Sequence, residues 1–163
     1  MANHDCQYTV RTANAQETQA VGQQLGRVLF PGVVIGLVGD LGSGKTCFVK
    51  GIAAGLGLNS DEISSPTFTL IAEHYTDTQA LYHIDLYRLE GANIGELSDE
   101  LGIEDYLFGQ GATAIEWFQF LPAGTLNEYL LVSLCFSDND ERLIRFRPHG
   151  KSYEQIIQRL RGE

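Results

Sequence analysis

The sequence has few cysteines and no apolar run long enough to cross a membrane. Three cysteines, Cys6, Cys47 and Cys135, lie far apart in the 163 residues and lack the paired spacing of a zinc or redox site. A membrane-spanning helix needs about 18 consecutive apolar residues, and the first ten residues lack the basic and apolar regions of a signal peptide. We therefore expect a cytoplasmic protein in a reducing compartment, with neither disulfides nor membrane contact.

Basic residues are also scarce. Eleven lysines and arginines stand against 21 acidic residues, and the formal net charge is -10. This balance argues against a protein built chiefly to hold nucleic acid, because neutralising phosphates requires lysine and arginine. The acids concentrate from Asp61 to Asp105 and the bases from Arg142 to Glu163. Either both regions are solvated faces, or an acidic flank and a basic end meet different partners.

Apolar periodicity predicts one α/β domain over residues 1–163, with a sheet that mixes parallel and antiparallel strands. The composition, 44% apolar and 20% charged, is ordinary for a globular chain. Val33–Val38 is a continuous apolar run, typical of a strand buried on both faces of a parallel sheet. The other predicted strands are Tyr8–Thr12, Phe68–Tyr75, Ala80–Asp85, Ala112–Glu116, Tyr129–Phe136 and Arg142–Arg147, with a hairpin turn at Thr76–Gln79.

Capping signals and apolar stripes predict the helices. Asn14 and Glu17 form a capping box before a first helix, which stops at Pro31. The remaining predicted helices are a segment with the stripe Phe48, Ile52 and Leu56, the segment Glu96–Phe108 with an interruption at Gly102, and a last amphipathic helix capped by Ser152 with Gln155.

Residues Gly39–Thr46, the P-loop, match the pattern G-x-x-x-x-G-K-[ST] in full and directly follow the predicted strand Val33–Val38. The glycines let backbone N–H groups point inward around phosphates, at the N-terminus of the following helix. Lys45 supplies a positive charge to the β- and γ-phosphates, and the Thr46 hydroxyl is a ligand for Mg²⁺. The motif predicts nucleoside triphosphate binding by Asp40, Leu41, Gly42, Ser43, Gly44, Lys45 and Thr46.

A P-loop protein also needs a carboxylate for the magnesium ion, usually at the end of an apolar strand. Asp85 ends one predicted strand and Glu116 ends another. Taken alone, each is also compatible with being only a strand cap or a surface charge. With the P-loop present, we expect one to hold the ion while the other orients the attacking water.

Four strings closely resemble the TsaE family, also called YjeE: GDLGSGKT, SSPTFTL (Ser64–Leu70), HIDLYRL (His83–Leu89) and IEW (Ile115–Trp117). The resemblance covers roughly Asn14 to Leu121. It implies a P-loop NTPase-like three-layer fold with a mixed sheet, and slow hydrolysis of ATP with Mg²⁺. It also implies partners: TsaE proteins support TsaD and TsaB, which transfer a threonylcarbamoyl group to the adenosine beside the anticodon of certain tRNAs. The resemblance therefore implies contact with tRNA only through that complex.

The resemblance also assigns roles by position. Lys45 and Thr46 correspond to residues that bind phosphate and metal, and Asp85 is similar to the family's magnesium-linked aspartate. Glu116 resembles the catalytic or water-positioning acid, which also belongs to the metal site. Thr67 lies where a switch residue senses the γ-phosphate.

The residues after IEW depart from the family pattern. Many members continue with proline or a small residue and then an acid, whereas this chain has Phe118-Gln119-Phe120. The role of that downstream acid is therefore not carried over. Trp117 either binds the nucleotide, by stacking on the base or lining its pocket, or is a core aromatic residue. Cys47 is expected to pack as a small, inert side chain.

Several other residues have a plain structural interpretation beside a functional one. Arg88 compensates phosphate charge or docks a partner, or it forms an ion pair with a neighbour such as Glu90. We expect His83 to be a satisfied strand residue, because H-x-D alone is not a metal site. Gly36 and Gly42 are expected to ease packing and turning rather than to touch a ligand.

The sequence leaves two further questions open. The basic residues Arg142, Arg145, Arg147 and Lys151 are candidates to face tRNA or an acidic partner surface within the assembly. The P-loop itself is also compatible with a kinase of a small molecule or protein, or with a nucleotide-sensing interaction module without meaningful turnover.

Overall fold

The computed structural model describes residues 7–91 and 99–162 of the chain. Its strands are β1 (Tyr8–Thr12), β2 (Val34–Val38), β3 (Ile71–Tyr75), β4 (Ala80–Asp85), β5 (Ala112–Glu116), β6 (Tyr129–Phe136) and β7 (Arg142–His149). Its α-helices are α1 (Ala15–Arg27), α2 (Lys45–Gly55), α3 (Ile103–Leu107) and α4 (Lys151–Leu160). The strands form a seven-stranded sheet in the order β1-β7-β6-β2-β5-β4-β3.

The sheet mixes parallel and antiparallel pairs, as predicted. β2 lies between β5 and β6 and runs parallel to both, and β4 runs parallel to β5. The pairs β1–β7, β6–β7 and β3–β4 are antiparallel. Because the carboxyl ends of parallel strands meet at the same edge of a sheet, the segments that follow β2, β4, β5 and β6 gather there. The P-loop, Asp85 and Glu116 therefore share one edge.

Apolar side chains cover both faces of the sheet, which confirms the three-layer arrangement. On one face, α1, α2 and α4 pack against β2, β6 and β7 around fully buried residues such as Ile35, Phe48 and Phe146. On the other face, Ile84 and Ile115 pack beneath α3 and the short 3-10 turns. This second layer contains little regular helix.

Four glycines bring α1 and α2 into close contact. A Cβ atom placed on Gly51 would lie 2.1 Å from the carbonyl oxygen of Gln19, and one on Gly26 would lie 2.4 Å from that of Ile52. Gly22 and Gly55 are equally crowded by the facing helix. Larger side chains would push the two helices apart, so these glycines fix α2 behind the P-loop.

The first helix begins as the sequence predicts. The Asn14 side chain accepts a hydrogen bond from the Glu17 backbone N–H at 2.9 Å. The Glu17 carboxylate reaches back to the backbone N–H of Ala13 at 2.6 Å. The two bonds satisfy N–H groups that the first turn of a helix leaves without partners.

α1 ends at Arg27 rather than at Pro31, because Val28 leaves the helical conformation (φ -112°, ψ 10°), and β7 continues to His149 rather than Arg147. Three further predictions need correction. β3 begins at Ile71 rather than Phe68 because Leu70 has a left-handed backbone (φ 67°) and donates its N–H to the Pro66 carbonyl at 2.6 Å, which makes a turn. Ser152 does not cap α4; that helix begins after Gly150, whose carbonyl accepts the backbone N–H of Tyr153.

The third correction concerns the predicted helix Glu96–Phe108. Glu96, like Cys6 and Glu163, lies outside the described residues. Gly102 interrupts the remainder as predicted, with a left-handed backbone (φ 65°) directly before α3. In the part of the chain that the structure covers, no helix has the length and apolar character to cross a membrane.

Candidate nucleotide-binding site

The P-loop joins β2 to α2 in a tight curl of backbone. Gly42 and Gly44 have left-handed backbones (φ 78° and 104°), and the Gly44 carbonyl accepts the first helical hydrogen bond from Phe48 N–H at 2.8 Å. A Cβ atom on Gly39 would lie 2.5 Å from the buried Ser43 hydroxyl. That hydroxyl has no hydrogen-bond partner among the described residues. The curl therefore presents a polar cradle at the N-terminus of α2.

Lys45 bends back over this cradle. Its ammonium donates to the carbonyl oxygens of Gly39 at 2.6 Å and Asp40 at 3.0 Å. It also lies 4.2 Å from the centre of the Trp117 ring, close enough for a cation–π contact. Burial lowers the pKa of Lys45 from its ordinary value of 10.5, while the nearby Glu116, Asp85 and Asp40 carboxylates oppose that shift.

Glu116, at the end of β5, is bonded to the P-loop. Its carboxylate oxygens accept hydrogen bonds from the Thr46 hydroxyl at 2.9 and 3.1 Å. One of the same oxygens lies 2.5 Å from Nε2 of His83. Glu116 is 3% exposed and His83 is completely buried. The acid is therefore held between a threonine of the P-loop and a histidine of the neighbouring strand.

Asp85 stands beside Glu116 because the two residues are partners in the parallel register of β4 and β5. Its Oδ2 accepts hydrogen bonds from the hydroxyls of Ser65 at 2.6 Å and Thr67 at 3.1 Å. Its Oδ1 accepts the backbone N–H of Tyr87 at 2.9 Å. Asp85 thus anchors the segment Ser64–Leu70, which we call the switch segment.

A cavity of about 360 Å³ lies between the P-loop and the two acids, within the size range of small-ligand pockets. Nine of the eleven predicted site residues line it: Leu41, Gly42, Gly44, Lys45, Thr46, Thr67, Asp85, Glu116 and Trp117. Asp40 and Ser43 are part of the loop but are not in the cavity lining. The fold therefore brings the candidate phosphate, metal and switch residues to one place.

Trp117 packs among aromatic residues and also lines the cavity. It has a left-handed backbone (φ 58°), and its ring packs between Tyr87, with centroids 5.0 Å apart, and Phe120, 5.8 Å apart and nearly parallel. The same residue lines the cavity under the Lys45 ammonium. It is an aromatic packing residue that also forms part of the cavity wall.

The contacts of His83 with Glu116 and of Ser65 with Asp85 were not predicted from the sequence. The period-2 alternation of β4 places His83 inward, as expected for a strand residue, but its partner is the candidate catalytic acid Glu116. Its Nδ1 has no partner within the described ranges. Ser65 lies in the string SSPTFTL, yet nothing in the sequence indicated that its hydroxyl would contact Asp85.

The remaining candidates have structural partners. Arg88 donates to the carbonyl oxygen of Phe68 at 2.9 Å, so it contacts the switch segment; among the residues that the structure describes it forms no ion pair with Glu90. The Phe118 ring fills the space over Gly36, where a Cβ atom would lie 2.4 Å from the ring. Gly36 therefore eases packing, as predicted.

Cys47 also fits its structural interpretation. Its Sγ donates to the carbonyl oxygen of Ala15 at 3.2 Å, and burial raises the pKa of the thiol above 9.0. A raised pKa leaves little thiolate at neutral pH, so this cysteine is a poor nucleophile.

Known proteins resemble this chain in sequence and in fold. The family model described as "Threonylcarbamoyl adenosine biosynthesis protein TsaE" matches residues 12–144. A Bacillus subtilis (strain 168) protein named "tRNA threonylcarbamoyladenosine biosynthesis protein TsaE" is 39% identical over 150 residues, which are 92% of this chain and 91% of that protein. A Treponema pallidum (strain Nichols) protein of the same name is 46% identical over 116 residues, 71% of this chain and 82% of that one.

A solved structure extends the similarity to three dimensions. The crystal structure of Bacillus subtilis YdiB matches this fold with a TM-score of 0.80 and 35% sequence identity, covering 96% of this chain and 95% of that one. The family model, the relatives at 39% and 46% identity and the shared fold all agree. They show that the chain belongs to the TsaE family of tRNA threonylcarbamoyladenosine biosynthesis.

Proposed function

We propose that this protein is a Mg²⁺-dependent ATPase that supports TsaD and TsaB in the threonylcarbamoylation of tRNA, without performing the transfer itself. One observation carries the proposal. The P-loop lysine, the P-loop threonine and two strand-end carboxylates, Asp85 and Glu116, converge on one cavity. Such a set of groups suits phosphoryl transfer, where catalysis consists mainly of positioning and charge stabilisation.

The phosphate-binding part is the curl of the P-loop. Its backbone N–H groups and the N-terminus of α2 favour anions. Lys45 now donates to two neutral carbonyl oxygens, and a phosphate oxygen is the stronger acceptor because charge-assisted hydrogen bonds exceed neutral ones. We therefore expect Lys45 to exchange these carbonyls for the β- and γ-phosphates of ATP.

The oxygen donors near the cavity suit Mg²⁺. This ion uses one or two carboxylates together with phosphate oxygens and water, and Thr46, Asp85 and Glu116 supply hydroxyl and carboxylate oxygens here. When bound, the ion neutralises the charge that develops on the phosphates. Of the two acids, Asp85 is proposed to hold the ion and Glu116 to orient the attacking water.

Glu116 is held in place for that task. Hydrogen bonds from Thr46 and His83 fix the position of its carboxylate, and burial keeps bulk water from competing with the oriented one. The Thr46 hydroxyl must release Glu116 when it becomes a metal ligand. We propose that this exchange frees one carboxylate oxygen for the water.

The switch segment is proposed to respond to the γ-phosphate through Thr67. In the free chain, Thr67 and Ser65 both bond to Asp85. Asp85 would have to give up these bonds in order to hold a metal ion, and nucleotide binding would therefore rearrange the segment. Hydrolysis would restore it, which gives the partner proteins a surface that changes with the nucleotide.

Three charged residues of the site already have hydrogen-bond partners within the protein, and this favours dependence on the partner proteins. Lys45, Glu116 and Asp85 each bond to the protein itself, so these bonds must be exchanged before ATP is positioned. We expect slow hydrolysis by the chain alone and faster hydrolysis with TsaD and TsaB.

Mg²⁺-dependent ATP hydrolysis by the purified chain, alone and with TsaD–TsaB, tests the proposal. Stimulation by the partners that is abolished in Lys45→Ala and kept in Lys50→Ala, a lysine farther along α2, would support it. Hydrolysis that is equal in Lys45→Ala and wild type would contradict it. Phosphate transfer to a metabolite faster than to water would instead indicate a kinase, and persistent binding without turnover would indicate a sensing module.

A further inference from the structure

Arg142 lies beside the P-loop, on a different face of β7 from Arg145 and Arg147. Side chains alternate between the two faces of a strand. Ile144 and Phe146 point into the core under α2, and Arg142 shares their face. Arg145 and Arg147 are exposed on the opposite face. The basic end therefore does not form one continuous surface.

The sheet topology brings Arg142 to the nucleotide edge. It is the first residue of β7 and pairs with Phe136, the last residue of β6. Because β6 runs parallel to β2, Phe136 is at the edge where β2 enters the P-loop. The Arg142 guanidinium lies 4.8 Å from the centre of the Phe136 ring, so the aromatic ring holds it in position.

The contact with the P-loop is close. A Cβ atom on Gly44 would lie 3.2 Å from Nε of Arg142. Burial raises the pKa of Cys47, two residues beyond Lys45, and the charge of Arg142 acts against that rise. The Nε atom of Arg142 is buried, and across residues 7–91 and 99–162 it has no hydrogen-bond partner. A buried N–H without a partner is costly, and an anion at this end of the loop would satisfy it.

The two sides of the P-loop therefore carry opposite charges. Asp85 and Glu116 follow β4 and β5 on one side, and Arg142 stands beside β6 on the other. Asp85 and Glu116 would hold a metal ion that neutralises charge on the β- and γ-phosphates, so the acidic side would receive the γ-phosphate end. The other end of a nucleotide placed in this way would extend toward Gly44, which lines the cavity and which Arg142 approaches from outside that lining.

We propose that Arg142 binds the α-phosphate of the nucleotide, with Phe136 as the ring that holds its guanidinium. The proposal rests on the nucleotide binding proposed above. It assigns a phosphate-binding residue to the end of the site that Asp85, Glu116 and Lys45 do not reach. Arginine is suited to this task because its planar fork matches phosphate oxygens. Since ADP and ATP share the α-phosphate, Arg142 contributes equally to both.

Calorimetric titration of Mg·ATP and Mg·ADP into Arg142→Ala, with Arg145→Ala as the matched control, tests the assignment. We expect Arg142→Ala to weaken both nucleotides by the same factor, about tenfold for the loss of one charge-assisted contact. Arg145→Ala should bind both like wild type. Binding of both nucleotides by Arg142→Ala within about twofold of wild type would overturn the assignment, and so would a loss confined to ATP.

Two further measurements separate this proposal from its alternatives. If wild type and Lys45→Ala bind nucleotide equally weakly, the proposed function itself has failed. If Arg142→Ala does not fold, the wild-type protein with ¹⁵N-labelled arginine gives the answer. The Nε–H resonance of Arg142 should shift on adding ADP while that of Arg145 stays unchanged, and an unmoved Arg142 resonance would overturn the proposal.

Discussion

Both carboxylate oxygens of Glu116 accept the hydroxyl of Thr46, at 2.9 and 3.1 Å. The bond joins the P-loop to the end of β5. Thr46, which we expect to bind metal, is therefore the partner of Glu116, which we expect to orient water. His83 holds the same carboxylate from the other side at 2.5 Å. If Thr46 binds the metal ion as proposed, nucleotide binding opens the contact between Thr46 and Glu116 and leaves the contact with His83 in place.

Replacing Glu116 separates binding from turnover. In Glu116→Gln the amide still accepts the Thr46 hydroxyl but no longer activates water, so we expect turnover to fall by about 10²–10⁴-fold with ATP affinity nearly unchanged. Glu104→Gln, at an exposed position of α3, is the control. Phosphate release and equilibrium ATP binding are the two measurements, and normal turnover in Glu116→Gln would remove the residue from its proposed role.

The switch segment has a test within its own sequence. Thr67→Ala removes a hydroxyl that bonds to Asp85, and we expect ATP binding within about threefold of wild type together with loss of tRNA modification by the TsaD–TsaB assembly. Thr69→Ala, two residues away and exposed, should behave as wild type. A Thr67→Ala protein that supports full modification would show that Thr67 is not the switch.

Asp85 should act through the metal. Asp85→Asn keeps the size of the side chain but removes its charge, so we expect ATP affinity to lose much of its dependence on Mg²⁺ concentration. The measurement is ATP binding over a series of Mg²⁺ concentrations. An unchanged Mg²⁺ dependence would assign the ion to other ligands.

The lowered pKa of Lys45 predicts an alkaline limit to nucleotide binding. Phosphate binds the protonated amine of Lys45, and burial lowers the pKa of that amine below its ordinary value of 10.5. Affinity should therefore fall as the pH rises through that lowered pKa, with proton uptake on binding in this range. Lys45→Arg stays charged there and should lose the alkaline limb. Titrations in buffers of different ionisation enthalpy measure the uptake, and zero uptake up to pH 10 would contradict the assignment.

Phe118 and Gly36 predict a coupled effect on stability. Because the Phe118 ring occupies the space over Gly36, Gly36→Ala should reduce the free energy of unfolding by about 1–3 kcal/mol through overpacking. In the double variant with Phe118→Ala, that penalty should largely disappear. Urea unfolding of the four proteins measures the coupling, and strictly additive losses would show that the two sites do not share a packing contact.

The parts of the site that carry a local sequence signal were predicted. The P-loop pattern, the strand end at Asp85 and the strand end at Glu116 are each visible within one short stretch of sequence, and parallel strand pairing brings the three stretches to one edge. Six of the seven predicted strands begin within one residue of the observed ones. The exception, β3, starts later because Leu70 turns in a left-handed conformation, which its residue type does not indicate.

Contacts between distant segments were not predictable. His83 looks like any inward strand residue until the register of β4 and β5 places it against Glu116. The basic end reads as one cluster in the sequence, yet β-strand alternation and the pairing with Phe136 direct Arg142 to the P-loop and Arg145 away from it. Which strands pair, and in which register, depends on the whole sheet and is not visible in any single stretch of sequence.

The central claim is that ATP hydrolysis by this chain supports tRNA modification. The most direct test counts ADP released and threonylcarbamoyladenosine formed in the same reaction of tRNA, TsaD, TsaB and this protein. We predict that sustained modification accompanies ADP release with wild type, and that both fail with Glu116→Gln although this variant still binds ATP. Full modification with Glu116→Gln, in the absence of ADP release, would contradict the claim and leave nucleotide binding alone as the function.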